Sequence, residues 1–363
     1  MSRAPSPPAR RRATAGRAGR RTAPPRDNLK TINLALQGGG AHGAFTWGVL
    51  DELLADERLD IEAISGTSAG AMNAVVLADG LMRGGVTGAR YRLGAFWRRV
   101  SREGAGVGAA GEIVQNLMGF WHMPRVSPFA YFEQFATLVS PYGTNPLNIN
   151  PLRDLVGRLI DFDRVRANDA LKLFISATNV RTGKIRVFSG AEITADAVMA
   201  SACLPYLFQA VEIDGEAYWD GGYMGNPALF PFFTDTRSQD ILLVQVNPLR
   251  RDEVPRTAQG IMERASEITF NASLLREFRA IDFVNRLMDE HRLDPKRYRR
   301  TRLHRIDAGD ALAGHSAASK LDTSWHFFRE LHHAGRAAAR AWLDENFDAI
   351  GARATLDLRA EFM

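Results

Sequence analysis

A serine held between two glycines, Ser68 in Gly66-Thr67-Ser68-Ala69-Gly70, is the first candidate for chemistry in this chain. The apolar stretch Ile61 to Ser65 precedes it, and a run of small helix-compatible residues, Ala69 to Ala78, follows. Strand, tight turn and helix is the setting in which Gly-x-Ser-x-Gly lifts a hydroxyl onto the tip of a sharp turn. Gly66 and Gly70 let neighbouring backbone approach closely. A serine at a helix N-terminus also faces unpaired N–H groups that favour developing negative charge. Its hydroxyl is a weak nucleophile until a base takes its proton. By itself the pentapeptide fits an ordinary glycine-rich turn equally well.

Two further motifs change that balance. Gly38-Gly39-Gly40-Ala41-His42-Gly43 follows the alternating strand pattern Ile32-Asn33-Leu34-Ala35-Leu36. It leads into a segment with Phe45, Val49, Leu50, Leu53 and Leu54 at helical spacing. Successive glycines leave backbone N–H groups uncovered, so such a loop can bind an anion or an oxyanion. Asp220-Gly221-Gly222 closes the segment Val211 to Trp219, in which Asp214-Gly215 separates two alternating apolar runs. That pattern predicts a tight hairpin with Asp220 at the end of its second strand.

Together and in this order, the three motifs resemble the patatin-like phospholipase family, over about residues 30 to 250. Ala200-Ser201-Ala202-Cys203-Leu204-Pro205 is similar to the Ala-Ser-x-x-x-Pro segment that precedes the family's aspartate. One position departs: His42 stands where the family often carries Arg or Lys. The resemblance implies a Ser–Asp dyad, with Ser68 as nucleophile and Asp220 as its base. It implies an oxyanion hole built on Gly38, Gly39, Gly40 and Gly43. Gly66 and Gly70 frame the nucleophile elbow, and Gly221 and Gly222 follow the aspartate. The implied substrate is a lipid or other acyl ester, phospholipid first, with no cofactor and no metal.

Three other readings compete. Gly38-x-Gly40-x-x-Gly43 fits a dinucleotide fingerprint, but that fingerprint expects an acid at the end of the second strand. Asp60 and Glu62 lie at its start. A Ser–acid–His triad would draw on His291, His304, His315, His326, His332 or His333, none of which has a distinctive local setting. A non-catalytic lipid-binding protein on the same fold would have little reason to keep both Ser68 and Asp220.

Strand and helix patterns alternate along the chain, which predicts an α/β fold: a three-layer α/β/α sandwich around a mostly parallel sheet. Leu171 to Ala177, Ile185 to Phe188, Ile241 to Val246 and Thr301 to Asp307 read as strands. Thr257 to Arg292 and Ala317 to Asn346 read as helices. The organisation that follows is a basic tail (1–29), a catalytic domain (30–250) and a helical extension packed on it (251–363).

The formal charge of +5 is uneven. Residues 1–30 carry eight Arg, one Lys and one Asp, so the remainder is slightly acidic. That Pro- and Arg-rich tail has too few apolar residues to build a core and is expected to be disordered. It lacks the apolar centre of a secretory signal. It reads first as a solvated extension, with peripheral contact to an anionic membrane as the functional alternative, and no specific nucleic-acid partner is expected. The single Cys203 suits a reducing compartment, and a cytoplasmic location is expected. The aromatic stretches Met118 to Met123 and Phe129 to Phe135 suit an acyl pocket, a bilayer contact or ordinary core.

Overall fold

The computed structural model describes residues 29–118, 140–205, 207–313, 315 and 317–362. The basic tail and the aromatic segment at 119–139 lie outside those residues.

Strand β1 (Lys30–Leu36) is central in the sheet, because its side chains are apolar or buried on both faces. It pairs in parallel with β2 (Leu59–Gly66) on one edge and with β7 (Asp240–Gln245) on the other. Outside β2 lies β3 (Lys172–Asn179), again parallel, and outside β7 lies β8 (Arg302–Asp307), also parallel. The antiparallel strands gather around β3. β4 (Ile185–Ser189) pairs along it, β6 (Glu216–Asp220) pairs with its last residues, and β5 (Val211–Ile213) pairs with β6. Asp214 and Gly215 turn this β5–β6 hairpin with φ of 51° and 78°, the left-handed pair that a two-residue hairpin turn requires.

The alternation along the strands divides the core in two. Ile32, Leu34, Leu36, Ile64, Leu242 and Val244 face one apolar cluster. Ala35, Ala63, Ile241, Leu243 and Leu303 face the other. On the first face pack α1 (Gly43–Asp56), α2 (Ala69–Met118, kinked at Gly84 and Gly85) and α5 (Trp325–Asn346). On the second lies α4 (Ala258–Asp289), through Leu274, Phe278 and Ile281. The fold is therefore a three-layer α/β/α sandwich. Between β4 and β5 runs the short α3 (Ala195–Ser201), which ends at the motif serine Ser201.

Helix α5 crosses α1 closely. A Cβ on Gly48 would lie 2.1 Å from the His332 carbonyl oxygen, and one on Gly335 would lie 2.1 Å from that of Phe45. Asp51 and Glu52 of α1 answer His332, Arg336 and Arg340 of α5 across this contact. No helix among the described residues is long and apolar enough to cross a membrane.

Candidate active site

Ser68 sits between β2 and α2 with φ of 54°, a left-handed conformation that serine rarely adopts. The surroundings enforce it. A Cβ on Gly66 would lie 2.7 Å from the Gly70 carbonyl, and one on Gly70 would lie 2.2 Å from the Leu36 carbonyl oxygen. Both glycines are needed for the turn to pack against the end of β1. The Ser68 N–H donates to the Ser201 hydroxyl at 2.9 Å, and the Thr67 hydroxyl donates to the Gly225 carbonyl at 2.6 Å. The strain is thus held by bonds from two remote segments.

Asp220 ends β6 and is 1% exposed. Its backbone N–H donates to the Cys203 carbonyl at 2.8 Å, and its own carbonyl accepts from the Thr178 hydroxyl at 2.8 Å. Its carboxylate accepts the Gly222 N–H at 2.7 Å, and the Ser68 hydroxyl lies near enough to act on its titration. Burial pushes the Asp220 carboxyl up to about 7, against the Gly222 N–H, the Ser68 hydroxyl and the charge of Lys320, which pull it down. Gly221 lets this strand end close on β3: its Cβ would meet the Ser176 carbonyl oxygen at 2.1 Å.

The four glycines of the first loop divide into two pairs. Gly38 lies against the nucleophile, since its Cβ would be 2.8 Å from that of Ser68. Its N–H, however, donates to Asn226 Oδ1 at 2.7 Å. The Gly43 N–H turns back to the carbonyls of Gly40 and Ala41. Gly43 instead brings the first residues of α1 and α2 together, its Cβ falling 2.7 Å from that of Ala69. Among the described residues no acceptor takes the N–H of Gly39 or Gly40. The starts of α1 and α2 thus lie against each other through Gly43 and Ala69, and the glycine loop abuts Ser68 through Gly38.

Sequence patterns left several members of this site unseen. Gln37, fully buried at the end of β1, accepts from the backbone N–H of Val246 and of Asn247, each at 3.0 Å. Asn247 Nδ2 donates to the Gly38 carbonyl at 2.7 Å. Asn226, Asn247 and Ser201 each lie more than a hundred residues from the group they hold. Only Ser201 carried a signal, as part of the Ala-Ser-x-x-x-Pro match.

Among the described residues no histidine hydrogen-bonds Ser68 or Asp220. His304 is buried, with Nε2 3.1 Å from Asp240 Oδ1 and Nδ1 3.0 Å from Thr355 Oγ1. Asp240 starts β7, at the end of the sheet remote from Ser68. His332 meets Asp51 at 3.3 Å, and His326 is 3.9 Å from Glu330 on its own helix. Glu62, considered for a ribose, instead accepts the backbone N–H groups of Arg237 and Ser238 at 2.9 and 2.8 Å.

The chain belongs to the patatin-like phospholipase family, whose model matches residues 34–233, from β1 past Asp220. An uncharacterized protein of Acanthamoeba polyphaga mimivirus is 27% identical over 206 residues, which are 52% of this chain and 57% of that protein. The chain thus spans little more than half the length of that curated relative. Among solved structures, VipD from Legionella pneumophila matches with 14% identity and a TM-score of 0.41, over 87% of this chain and 67% of its own. The type III effector ExoU of Pseudomonas aeruginosa matches with 15% identity and a TM-score of 0.35, over 86% of this chain and 53% of its own.

Proposed function

We propose that this chain is a serine acyl hydrolase acting on lipid esters, with Ser68 as nucleophile and Asp220 as general base. The observation that carries the reading is a fully buried carboxylate, raised toward neutrality, close to the hydroxyl of Ser68 at the sharp turn between β2 and α2. Ser68 Oγ attacks the ester carbonyl as Asp220 takes its proton. The tetrahedral oxyanion forms opposite the open N–H groups of Gly39 and Gly40. Collapse of that intermediate breaks the ester C–O bond, and protonated Asp220 returns the proton to the leaving alcohol. Water, deprotonated by Asp220, then attacks the acyl-Ser68 ester; its C–O bond breaks, Asp220 returns the proton to Ser68 Oγ, and the fatty acid is freed. The nucleophile, base and glycine loop fall within 30–250, and 251–363 adds strand β8 and the covering helices α4 and α5. Phospholipid is the leading substrate class, with neutral acylglycerols and short esters behind it. A fluorophosphonate probe with a panel of lipid and soluble esters tests the reading. Label on Ser68 with turnover of at least one ester is expected; an unlabelled, inactive protein overturns it.

The base must be ionised to act, so kcat/KM on a soluble ester should rise with pH and reach half its plateau near pH 7. A profile from pH 5 to 9 measures this. A half-point near the ordinary carboxylate range, around pH 4, would show that Asp220 is not the titrating base.

The two open glycines should respond differently to alanine. Gly39 has φ of 176°, outside the left-handed region, and an added methyl would meet the side chains of Val246 at 2.9 Å and His42 at 3.5 Å, with no backbone in the way. Gly39→Ala should therefore keep its thermal stability while re-aiming one donor, with a loss of kcat approaching about a hundredfold. Gly40 has φ of +57°, and its Cβ would fall 2.3 Å from the Lys320 carbonyl oxygen. Gly40→Ala should lose stability as well, by about 1 kcal/mol or more. Thermal melts beside kcat and KM separate the two. Equal melting temperatures for the two variants would contradict the assigned crowding.

A further inference from the structure

His42 is the one ionisable residue of the Gly38–Gly43 loop. It is buried, and its ring Nε2 lies 2.7 Å from the Ser319 hydroxyl. Burial, followed by the charges of Lys320 and His315, drives its pKa down to about 3, so it is neutral at any working pH. The loop therefore gains no charge from its own sequence.

A charge arrives from elsewhere. Residues Ala317–Leu321 form a short turn lying over the glycine loop, so close that Gly40 has room only for a hydrogen against the Lys320 carbonyl. From this turn the half-buried Lys320 sends its ammonium inward. Lys320 Nζ donates to Asn247 Oδ1 at 2.9 Å, and the same Asn247 side chain donates through Nδ2 to the Gly38 carbonyl at 2.7 Å. One amide thus links the ammonium to the residue that abuts Ser68.

We propose that Lys320 is the cationic positioning residue of this active site. Its ammonium fixes the Gly38–Gly40 loop through Asn247 and places positive charge beside both the developing oxyanion and the Asp220 carboxylate. The inference rests on the hydrolase reading above.

The charges around Lys320 fit this role. Its field acts on Asp220 and on His42, and Glu267, Glu263 and Arg251, from α4 and the segment before it, act on it. Glu267 is engaged by Arg251 at 2.5 Å and by Arg264 at 3.2 Å, so two guanidiniums already answer its carboxylate. The hydrogen bond of Lys320 itself goes to a neutral amide. Burial lowers the pKa of Lys320, and a desolvated ammonium gains most where negative charge appears during reaction.

The test is the steady-state kinetics of Lys320→Met and Lys320→Arg on a soluble ester across pH 5 to 9, with thermal melts of each. Lys320→Met should lower kcat by about tenfold to a hundredfold with KM little changed. Its acidic limb should move to higher pH, because Lys320 helps to keep Asp220 ionised. Lys320→Arg keeps the charge and should hold the limb where the wild type has it. A Lys320→Met enzyme with wild-type kcat and an unmoved limb overturns the role. So does a loss of kcat with an unmoved limb and a lowered melting temperature, which marks Lys320 as packing. Wild-type protein that turns over no ester overturns the hydrolase reading itself, a result distinct from either.

Discussion

Ser68→Ala should abolish ester turnover, by about a thousandfold or more, and leave the fold intact. The change removes one atom. The Ser68 N–H keeps its bond to the Ser201 hydroxyl, and the elbow keeps the close packing of Gly66 and Gly70. Alanine at φ of 54° carries no heavier backbone penalty than the serine already does. What disappears is the attacking oxygen beside Asp220. The melting temperature should stay within a few degrees of wild type, and fluorophosphonate labelling should vanish. Turnover that survives, or a label that moves to another serine, rules out Ser68 as nucleophile.

Much of this site could be read from the chain before its coordinates. Local rules governed those parts. The period-two pattern of Ile32 to Leu36 and the glycines after it specify a strand, a loop and a helix without help from distant residues. The same is true of Ile61 to Ala78. Asp214-Gly215 fixes the hairpin that delivers Asp220, because left-handed backbone at both positions suits few other pairs.

The less legible parts are tertiary. Four glycines in one loop look equivalent as donors in a sequence. Only the fold shows that Asn226 takes the N–H of Gly38 and that the turn itself takes that of Gly43. The helical stretch read from Ala317 also proves to be two elements. A short turn spans Ala317–Leu321, and α5 begins only at Trp325, with the Ser324 hydroxyl capping the Phe327 N–H. Asp322, Thr323 and Ser324 are a start signal hidden among helix-forming neighbours. That break lets the Lys320 turn leave the helix and lie on the glycine loop.

Asp220→Asn should cost about a hundred- to ten-thousandfold in turnover and at the same time stabilise the protein at alkaline pH. Loss of activity follows from the loss of the basic oxygen. Asparagine keeps an acceptor for the Gly222 N–H but has no affinity for the serine proton. The stability effect follows from burial. A carboxyl raised to about 7 in the fold, against about 3.8 when unfolded, holds its proton more tightly in the folded state. Below pH 4 both states are protonated and the native protein bears no penalty. As pH rises through 7 the folded protein must carry a buried anion, and stability falls across that window. Asparagine is neutral throughout and escapes the penalty, which is capped at about 4 kcal/mol by the two values. Denaturant unfolding of wild type and Asp220→Asn at pH 5 and pH 8 measures the difference. The variant's advantage should be larger at pH 8. An advantage equal at both values, or a variant less stable at pH 8, would mean that the Asp220 anion is well solvated. Its suitability as a base at neutral pH would then need another cause.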